Sequence, residues 1–546
     1  MKPFDYVIVG AGSAGCVLAA RLSEDPHNSV LLLEAGGEDS YWLLHMPLAF
    51  PRIFMLPAFN WGYSGEPEPH ADNRRIPMPR GKVLGGSSTI NGLMYARGDR
   101  SDYDGWRQLG LPGWGYAEVL PYFRRAESNF RGESVYHGVS GPMTVSKHIP
   151  DSIIYPRIME TARRRGFHLV EDFHGATCEG FSTPDFNVHQ GRRASTAVRY
   201  LRPALQRPNL TVETRATATR VLIDKGRATG VEYERGAPAH SGRLRQAHAT
   251  REVILCGGTY NSPQLLLLSG VGPAAEIEQV GIRPVHDLPG VGRNLQDHPS
   301  VRIEFLANDG MAFDSKLRFD RMLATVLQWH LFATGTGAGL PVSAMGFYKS
   351  RPGLSRPDIQ TLVSPTAFNA NLWFPLVKKP LGHRIATANV LLRPASRGWV
   401  KLRSKNPQDP PRVLLNLLDQ ASDLETLRSV VRSTREFFAT KPASELIRSE
   451  AIPGPAVQTD AQIDAFIRSS IGTAMHPTSS CSMGSGPEAV TDAQLKVHGL
   501  QGLRVVDASV MPRIIGSNTN APTIMVAEKA ADMILGKPPL PASAGL

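Results

Sequence analysis

Residues 6–23 read as a strand, a glycine-rich turn and a helix: Tyr6-Val-Ile-Val-Gly10-Ala-Gly12-Ser13-Ala14-Gly15, then Cys16-Val-Leu-Ala-Ala-Arg-Leu-Ser23 at helical spacing. Gly10 permits the tight turn, Gly12 lets the backbone approach a pyrophosphate, and Gly15 brings the helix close to the strand, so a helix N-terminus faces the negative charge. Glu34 ends the apolar run Val30-Leu-Leu-Leu33, where a second strand presents a carboxylate to ribose hydroxyls. This predicts a dinucleotide-binding βαβ unit. It does not by itself separate FAD from NAD.

At 546 residues the chain exceeds one hydrophobic core, so two or more domains are expected. Its 42 % hydrophobic and 20 % charged residues are those of a folded globular protein. Sixty Lys and Arg against 49 Asp and Glu give a net charge of +11. The basic residues are scattered, as in Arg163-Arg-Arg165, Arg192-Arg193 and Lys378-Lys379, so no nucleic-acid partner is expected. Cys16, Cys178, Cys256 and Cys481 show neither metal spacing nor a disulfide framework, which predicts a reducing, cytoplasmic setting and no metal. The βαβ unit begins by Phe4, which argues against a signal peptide. Apolar runs such as Leu265–Leu268 are far below the ~18 to 20 residues that span a bilayer, while a basic surface is compatible with peripheral contact to anionic lipid.

Between Ser40 and Gly115 lies a Pro-, Trp- and Gly-rich stretch with little periodicity, of the kind that wraps a ligand. It contains Pro79-Arg-Gly-Lys-Val83-Leu-Gly85-Gly-Ser-Ser88-Thr-Ile90-Asn91-Gly92, dense in small residues where something must approach the backbone. Strand-like runs return at 210–213, 218–223, 230–233 and 251–256. The last leads into Gly257-Gly-Thr-Tyr-Asn-Ser262-Pro263, where Ser262 suits an N-cap and Pro263 the first helical position. From about Ser300 to Arg468 the character changes to mixed strands, aromatics and irregular loops. The end again reads as strand, loop and helix: Leu503-Arg-Val-Val-Asp507-Ala508, Ser517-Asn518-Thr519-Asn520, and a helix opening at Pro522. Nucleotide-type sequence at both ends marks the middle as an insertion.

On these segments the chain resembles the glucose–methanol–choline (GMC) oxidoreductase family. The match rests on the N-terminal fingerprint, Gly81-Lys-Val-Leu-Gly-Gly-Ser-Ser-Thr-Ile-Asn91, Gly257 to Pro273, Asn294-Leu-Gln-Asp-His298, and His476 through Met533. Phrasing such as Ser195-Thr-Ala-Val-Arg-Tyr-Leu-Arg-Pro203 looks most like choline, aliphatic-alcohol and sorbose dehydrogenases. The resemblance implies an α/β fold, with a Rossmann-like FAD-binding domain assembled from 1–155, 195–298 and 470–537. It also implies an inserted α+β substrate domain with a mostly antiparallel sheet, from 156–194 and 299–469. A disordered tail is expected at 538–546.

For the cofactor it implies FAD, with Gly10, Gly12, Ser13, Ala14, Gly15, Glu34 and Ala35 on the ADP half and Val221 near the adenine. Val83 and the stretch from Gly85 to Met94, including Ser88, Asn91 and Gly92, would surround the flavin ring. Asp507 and Ala508 would follow the ribityl chain, with Thr519 and Asn520 also at the cofactor. Asp507 equally suits a strand-end turn. Some members attach FAD through a histidine at the position of Ile90, which has no nucleophilic atom, so non-covalent FAD is expected.

His476, in Ala474-Met-His476-Pro, resembles the family's catalytic histidine, and Asn520 its Asn or His partner. Imidazole titrates near neutrality and takes the alcohol proton while the α-hydrogen leaves as hydride to flavin N5. Asn520 would donate to the same oxygen without accepting its proton. The helix from Pro522 would aim its free N–H groups and positive dipole end at the flavin. Relatives commonly read Pro-x-Gly-Thr-Cys after this histidine, where this chain has Pro477-Thr-Ser-Ser-Cys481.

The expected activity is oxidation of a primary alcohol to an aldehyde, with electrons passing to a quinone or another acceptor. An oxidase using O₂ differs in access to the flavin face, beside which Ala474 is small. A hydroxynitrile lyase with an idle flavin and a non-catalytic flavin binder are further readings. Phe347, Phe368, Trp373 and Phe374 suit either a substrate wall or core. No cage or carboxylate for a choline cation is identifiable.

Overall fold

The computed structural model describes residues 2–236, 243–378 and 381–544. β1 (Phe4–Val9), α1 (Ser13–Leu22) and β2 (Val30–Glu34) form where the fingerprint predicts them. β2 is buried along its whole length, which explains an unbroken apolar run in place of alternation. The parallel strands lie in the order Leu210–Thr214, β2, β1, Arg243–Leu255, Leu503–Val505. In chain order that is 3-2-1-4-5, a doubly wound arrangement whose ligand crevice lies at the carboxyl ends of the strands where the order reverses. Here the reversal falls between β1 and Arg243–Leu255. Ala216–Asp224 and Arg227–Arg235 extend the latter strand as an antiparallel meander.

α1 packs against the C-terminal helix Asn520–Ile534. Glu528 of that helix, fully buried, accepts from Arg21 at 2.9 Å, Arg125 at 2.8 Å and the Tyr200 hydroxyl at 2.7 Å. The carboxylate is therefore satisfied, and it ties the two ends of the chain together.

The second sheet is antiparallel throughout, in the order Ile447–Ile452, Pro299–Ala307, Arg384–Leu391, Ile359–Ser364, Ala344–Tyr348, Gly180–Ser182. Helices Ile154–Arg164, Ala421–Ala439 and Asp460–Ser470 cover one face, where Phe305 and Phe438 stack at 4.4 Å. Strand alternation sends Ser300 and Arg302, Val390 and Ala388, Gln360 and Leu362 to the other face, toward the crevice of the first sheet. The function of the insertion follows from that placement: it closes the crevice.

Three local expectations are corrected. The helix after residue 256 spans Gly258–Leu268, so Pro263 lies inside it. The Thr259 carbonyl, which Pro263 has no N–H to serve, accepts the Ser480 hydroxyl instead. The stretch from 40 to 115 is mostly short turns but includes the helix Arg100–Gln108, started by an Asp99 capping box that apolar periodicity does not reveal. The tail is ordered as far as 544: Leu540 N–H donates to the Tyr122 hydroxyl at 3.1 Å and Ser543 N–H to Ala117 O at 2.9 Å. Residues 545 and 546 lie outside the described residues.

Candidate active site

A cavity of about 770 Å³ runs from the glycine turn to the antiparallel sheet. Gly10, Gly12, Ser13, Ala14, Glu34 and Ala35 line one end. Gly15 stands behind them; a Cβ there would lie 1.9 Å from Gly10 O, so its absence is what seats α1 on the turn. Gly86, at φ +52, would place a Cβ 2.7 Å from Gly12 Cα, so the two glycine turns touch backbone to backbone. Glu34 accepts Ala11 N–H and Gly36 N–H, both at 2.8 Å, and burial pushes its carboxyl up to about 7 against those donors.

Three helix N-termini open on this cavity. Ser13 and Ala14 of α1, Gly258 and Thr259 of Gly258–Leu268, and Asn520 and Thr523 of the C-terminal helix all stand on its wall. Positive dipole ends meeting in one cavity suit a diphosphate and a ring that gains negative charge on reduction, although Gly258 N–H already donates to Asp507 at 2.9 Å. The residues present thus fit FAD.

Asn91, Gly92, Met94, Ala508 and Thr519 line the cavity as expected, and so does Ile90. Val83, Gly85 and Ser88 do not: they build the turn behind it. Ser88 donates its hydroxyl to Gly85 O at 2.6 Å and accepts Thr196 N–H at 3.1 Å. Buried Arg193 braces the same turn through Leu44 O, Ser88 O and Asn91 O. Val221 is also off the wall; its N–H donates to Ser269 Oγ at 2.8 Å, and its strand reaches the cavity at Ala216–Ala218. Asp507 is on the wall, but its carboxylate accepts Gly258 N–H, Ser509 N–H and the Ser262 hydroxyl, so it acts as a turn former and helix cap.

At the far end stands His476. Its partner is Asn518, whose Nδ2 lies 3.0 Å from His476 Nε2, and not the expected Asn520, whose Oδ1 accepts the Ser13 hydroxyl at 2.8 Å. Asn518, two residues before the helix, meets the imidazole, while Asn520, the first helical residue, turns back to α1. Gln360 Nε2 donates to Asn518 Oδ1 at 3.1 Å, which leaves the Asn518 amide nitrogen for the imidazole. With Nε2 as acceptor, the single proton of neutral His476 sits on Nδ1 and donates to His298 Nδ1 at 3.0 Å; this tautomer is assigned from the network. Asp297 Oδ1 accepts the backbone N–H groups of both His298 and His476 at 2.8 Å.

Burial, with the Arg80 cation second, pulls His476 down to about 3. His298 is held well below its ordinary value by burial and by His476. Burial pushes Asp297 up to about 6. His476 is therefore a neutral base at ordinary pH, its lone pair on the cavity side. The segment Asn294–His298 carried the family resemblance without a role; the structure gives it the task of holding the histidine. Nothing in the sequence pointed to Gln360.

Much of the remaining wall is apolar: Phe50, Phe54, Leu340, Val342, Leu362, Phe368 and Val390. Of the four aromatic candidates only Phe368 is there. Phe347 is core, Trp373 donates its indole N–H to Asp314 O, and Phe374 faces solvent. Arg302 also lines the cavity, its guanidinium 4.4 Å over the Phe368 ring. The carboxylates on the wall are Glu34, Asp409 and Asp507. Asp409 stands by Gln264 with its oxygens held by Ser404 and Asn406. Among the described residues no group of three His, Cys, Asp or Glu could hold a metal.

Models of the GMC oxidoreductase family match residues 4–300 and 394–527. The chain is 43 % identical over 546 residues to "Choline dehydrogenase, mitochondrial" of Mus musculus, covering 98 % of this chain and 90 % of that protein. It is 43 % identical over 538 residues to "Oxygen-dependent choline dehydrogenase" of Sinorhizobium fredii, covering 98 % and 96 %. Among solved structures, pyridoxine 4-oxidase from Mesorbium loti matches with a TM-score of 0.86 at 28 % identity over 97 % of this chain and 98 % of that one. Glycine turns, paired His476 and Asn518 and these matches agree: the chain belongs to the GMC oxidoreductase family and is an FAD-dependent enzyme that oxidises alcohols.

Proposed function

We propose that the enzyme converts an uncharged primary alcohol to its aldehyde, holds FAD without a covalent bond and passes the electrons to a quinone or similar acceptor. FAD is assigned to segments 1–155, 195–298 and 470–537, and the alcohol to 156–194 and 299–469. Four buried, unpaired cysteines suit a reducing cytoplasm.

The observation that carries this reading is the pair formed by His476 Nε2 and Asn518 Nδ2, 3.0 Å apart on the cavity wall. A hydroxyl undergoing oxidation needs an acceptor for its proton and a donor for its oxygen. His476 takes the proton at Nε2, and Asn518 holds the oxygen through an N–H while negative charge develops there. FAD, when bound, supplies the acceptor for the hydride that leaves the carbinol carbon. Ile90 on the wall offers it no atom to bond.

Choline in the names of the relatives is not carried over. The cavity that holds His476 also carries the Arg302 guanidinium, which disfavours a trimethylammonium group, and its wall carboxylates belong to the cofactor side or are already engaged. Glu304, next on the Arg302 face, pairs with Arg384 at 2.8 Å and is off the wall. An O₂-using oxidase is the second reading, favoured by the small side chain of Ala474 on the wall.

The test is anaerobic mixing of the FAD-loaded protein with primary alcohols, polyols and choline while the oxidised-flavin absorbance is followed, then reoxidation. Bleaching by uncharged alcohols with slow recovery in air and fast recovery with a quinone is expected. Fast recovery in air makes it an oxidase. Conversion without bleaching makes it a lyase, and inertness toward every alcohol a flavin binder.

A further inference from the structure

The helix Phe319–Phe332 turns its apolar side outward. Phe319, Leu323, Leu327 and Leu331 follow at four-residue spacing, so they form one stripe, and all four are exposed, Leu331 at 68 %. Its one fully buried residue is Trp329, whose indole N–H donates to Gly191 O at 2.8 Å under the Arg192 guanidinium. Scattered surface leucines need no explanation; a continuous stripe does.

A second segment widens it. Phe374 stacks on Phe319 with ring centroids 4.7 Å apart, and Phe319 N–H donates to Trp373 O at 3.0 Å. Leu372 and Phe374 are exposed, Val377 is 85 % exposed and Leu376 wholly so. Lys316, Arg321 and Lys378, all exposed, lie just before the helix, on it and at the end of the second segment. The one acid on the helix, Asp320, is neutralised by Arg318 at 2.6 Å. Both segments run directly into the active-site wall: the helix leads through Gly335–Ala338 to Leu340, Pro341 and Val342, and the loop follows Thr366, Ala367 and Phe368.

We propose that this face docks on an anionic lipid bilayer, with the helix lying in the headgroup plane and the 372–377 tip entering the acyl boundary. Charge complementarity selects lipid as the occupant, because Lys316, Arg321 and Lys378 are cationic and the chain carries +11. A wholly exposed apolar tip backed by a lysine is also the shape that enters a bilayer, whereas a second copy would have to supply a matching hollow. At 14 residues the helix is roughly 21 Å long. Among the described residues no helix is long and apolar enough to cross a membrane, so the contact is peripheral. Docking sets two segments of the cavity wall at the lipid boundary, where an apolar alcohol or quinone is concentrated. That consequence rests on the function proposed above; the docking itself does not.

The test is flotation of the FAD-loaded protein with vesicles of phosphatidylcholine alone and of phosphatidylcholine with phosphatidylglycerol, at low and high salt. Wild type is compared with the double variant Leu376→Asp, Val377→Asp. Both side chains lie outside the core, and FAD content and melting temperature are measured alongside to show that the variant is folded. Wild type is expected to float with the phosphatidylglycerol vesicles, less so at high salt, and the variant's bound fraction to fall at least ~10-fold. A wild type that stays soluble with both vesicles, or a variant that floats equally well, overturns the proposal. So does a solution dimer that the variant converts to monomers, because a second copy then covers the face. Inertness toward every alcohol would sink the functional reading and leave the flotation result standing.

Discussion

The Asn518 amide nitrogen lies 3.0 Å from His476 Nε2, and the oxygen of the same amide accepts from Gln360 Nε2 at 3.1 Å. Gln360, on the inserted sheet, thereby sets which end of the amide faces the imidazole on the nucleotide-binding half. The orientation of the donor that an alcohol needs is therefore fixed only when the two sheets come together.

Replacing either member of the pair is expected to impair chemistry and spare the cofactor. His476→Ala should lose ~10²-fold or more in flavin reduction rate, the scale of a removed general base. Asn518→Ala should lose about 10²-fold, the lower end for a removed donor to a developing oxyanion. Asn520→Ala should leave that rate nearly unchanged and instead loosen FAD, since Asn520 contacts Ser13. Stopped-flow reduction of the three variants decides; a larger rate loss in Asn520→Ala than in Asn518→Ala would return the catalytic role to residue 520.

Ser479 occupies φ +77, a left-handed conformation that costs an L-residue roughly 1–2 kcal/mol, at the position where relatives commonly have glycine. Ser479→Gly relieves that strain but frees the unfolded chain and loses the 3.0 Å contact with the Thr478 hydroxyl, so the net gain should be no more than about 0.5 kcal/mol. A higher denaturation midpoint checks this. A lower one would mean that the hydroxyl contact outweighs the backbone strain.

Acid should destabilise the fold through its buried imidazoles. Burial holds His174 and His476 at about 3 and His298 well below its ordinary value, with Arg97, Arg80 and His476 respectively adding to the effect. Unfolding returns each to about 6.5, so below that pH the unfolded chain binds more protons. The stability these groups contribute is complete above pH ~6.5 and is lost as pH falls toward 3. Asp297, pushed up to about 6, acts with the opposite sign, its contribution fading as pH rises from ~4 to 6. Near pH 5, His298→Gln should take up about one proton fewer on unfolding than wild type. An unchanged slope of stability against pH would show that His298 is not held neutral.

Arg302 should discriminate against cations. Wild type is expected to oxidise choline poorly beside an uncharged alcohol. Arg302→Glu should raise kcat/KM for choline by roughly tenfold relative to that alcohol, equivalent to ~1.4 kcal/mol on replacing repulsion by attraction. Efficient choline turnover by wild type would remove the substrate assignment and leave the proton-transfer pair in place.

FAD should leave the protein intact on acid precipitation, because Ile90 stands on the wall where some members bond the flavin. A flavin that stays in the washed precipitate would show a covalent link at another residue.

Much of the nucleotide half was legible in residue order because its requirements are local. Gly10 answers to a φ of +99 in its turn, Gly15 to a clash with Gly10 O in the same turn, Glu34 to the end of one strand, and His476 to the motif around it. The inserted sheet was legible as a change in character, but its strand order and the residues on its cavity face were not. Ser300, Arg302 and Gln360 acquire their places from pairing partners some 30 to 90 residues apart in sequence.

Residue order by itself determined a strand, a glycine turn and a helix N-terminus shaped for a dinucleotide, since these follow from spacing and steric allowance over a dozen residues, while the histidine segment was joined to them by the family resemblance. Tertiary structure decided which of two asparagines meets the imidazole. Asn518 and Asn520 have the same chemistry, and the choice depends on a helix that starts at Asn520, two residues before Pro522, the start expected from the sequence. Shifting a helix start by two residues rotates its side chains by about 200°, enough to exchange a residue facing the substrate for one facing the cofactor turn.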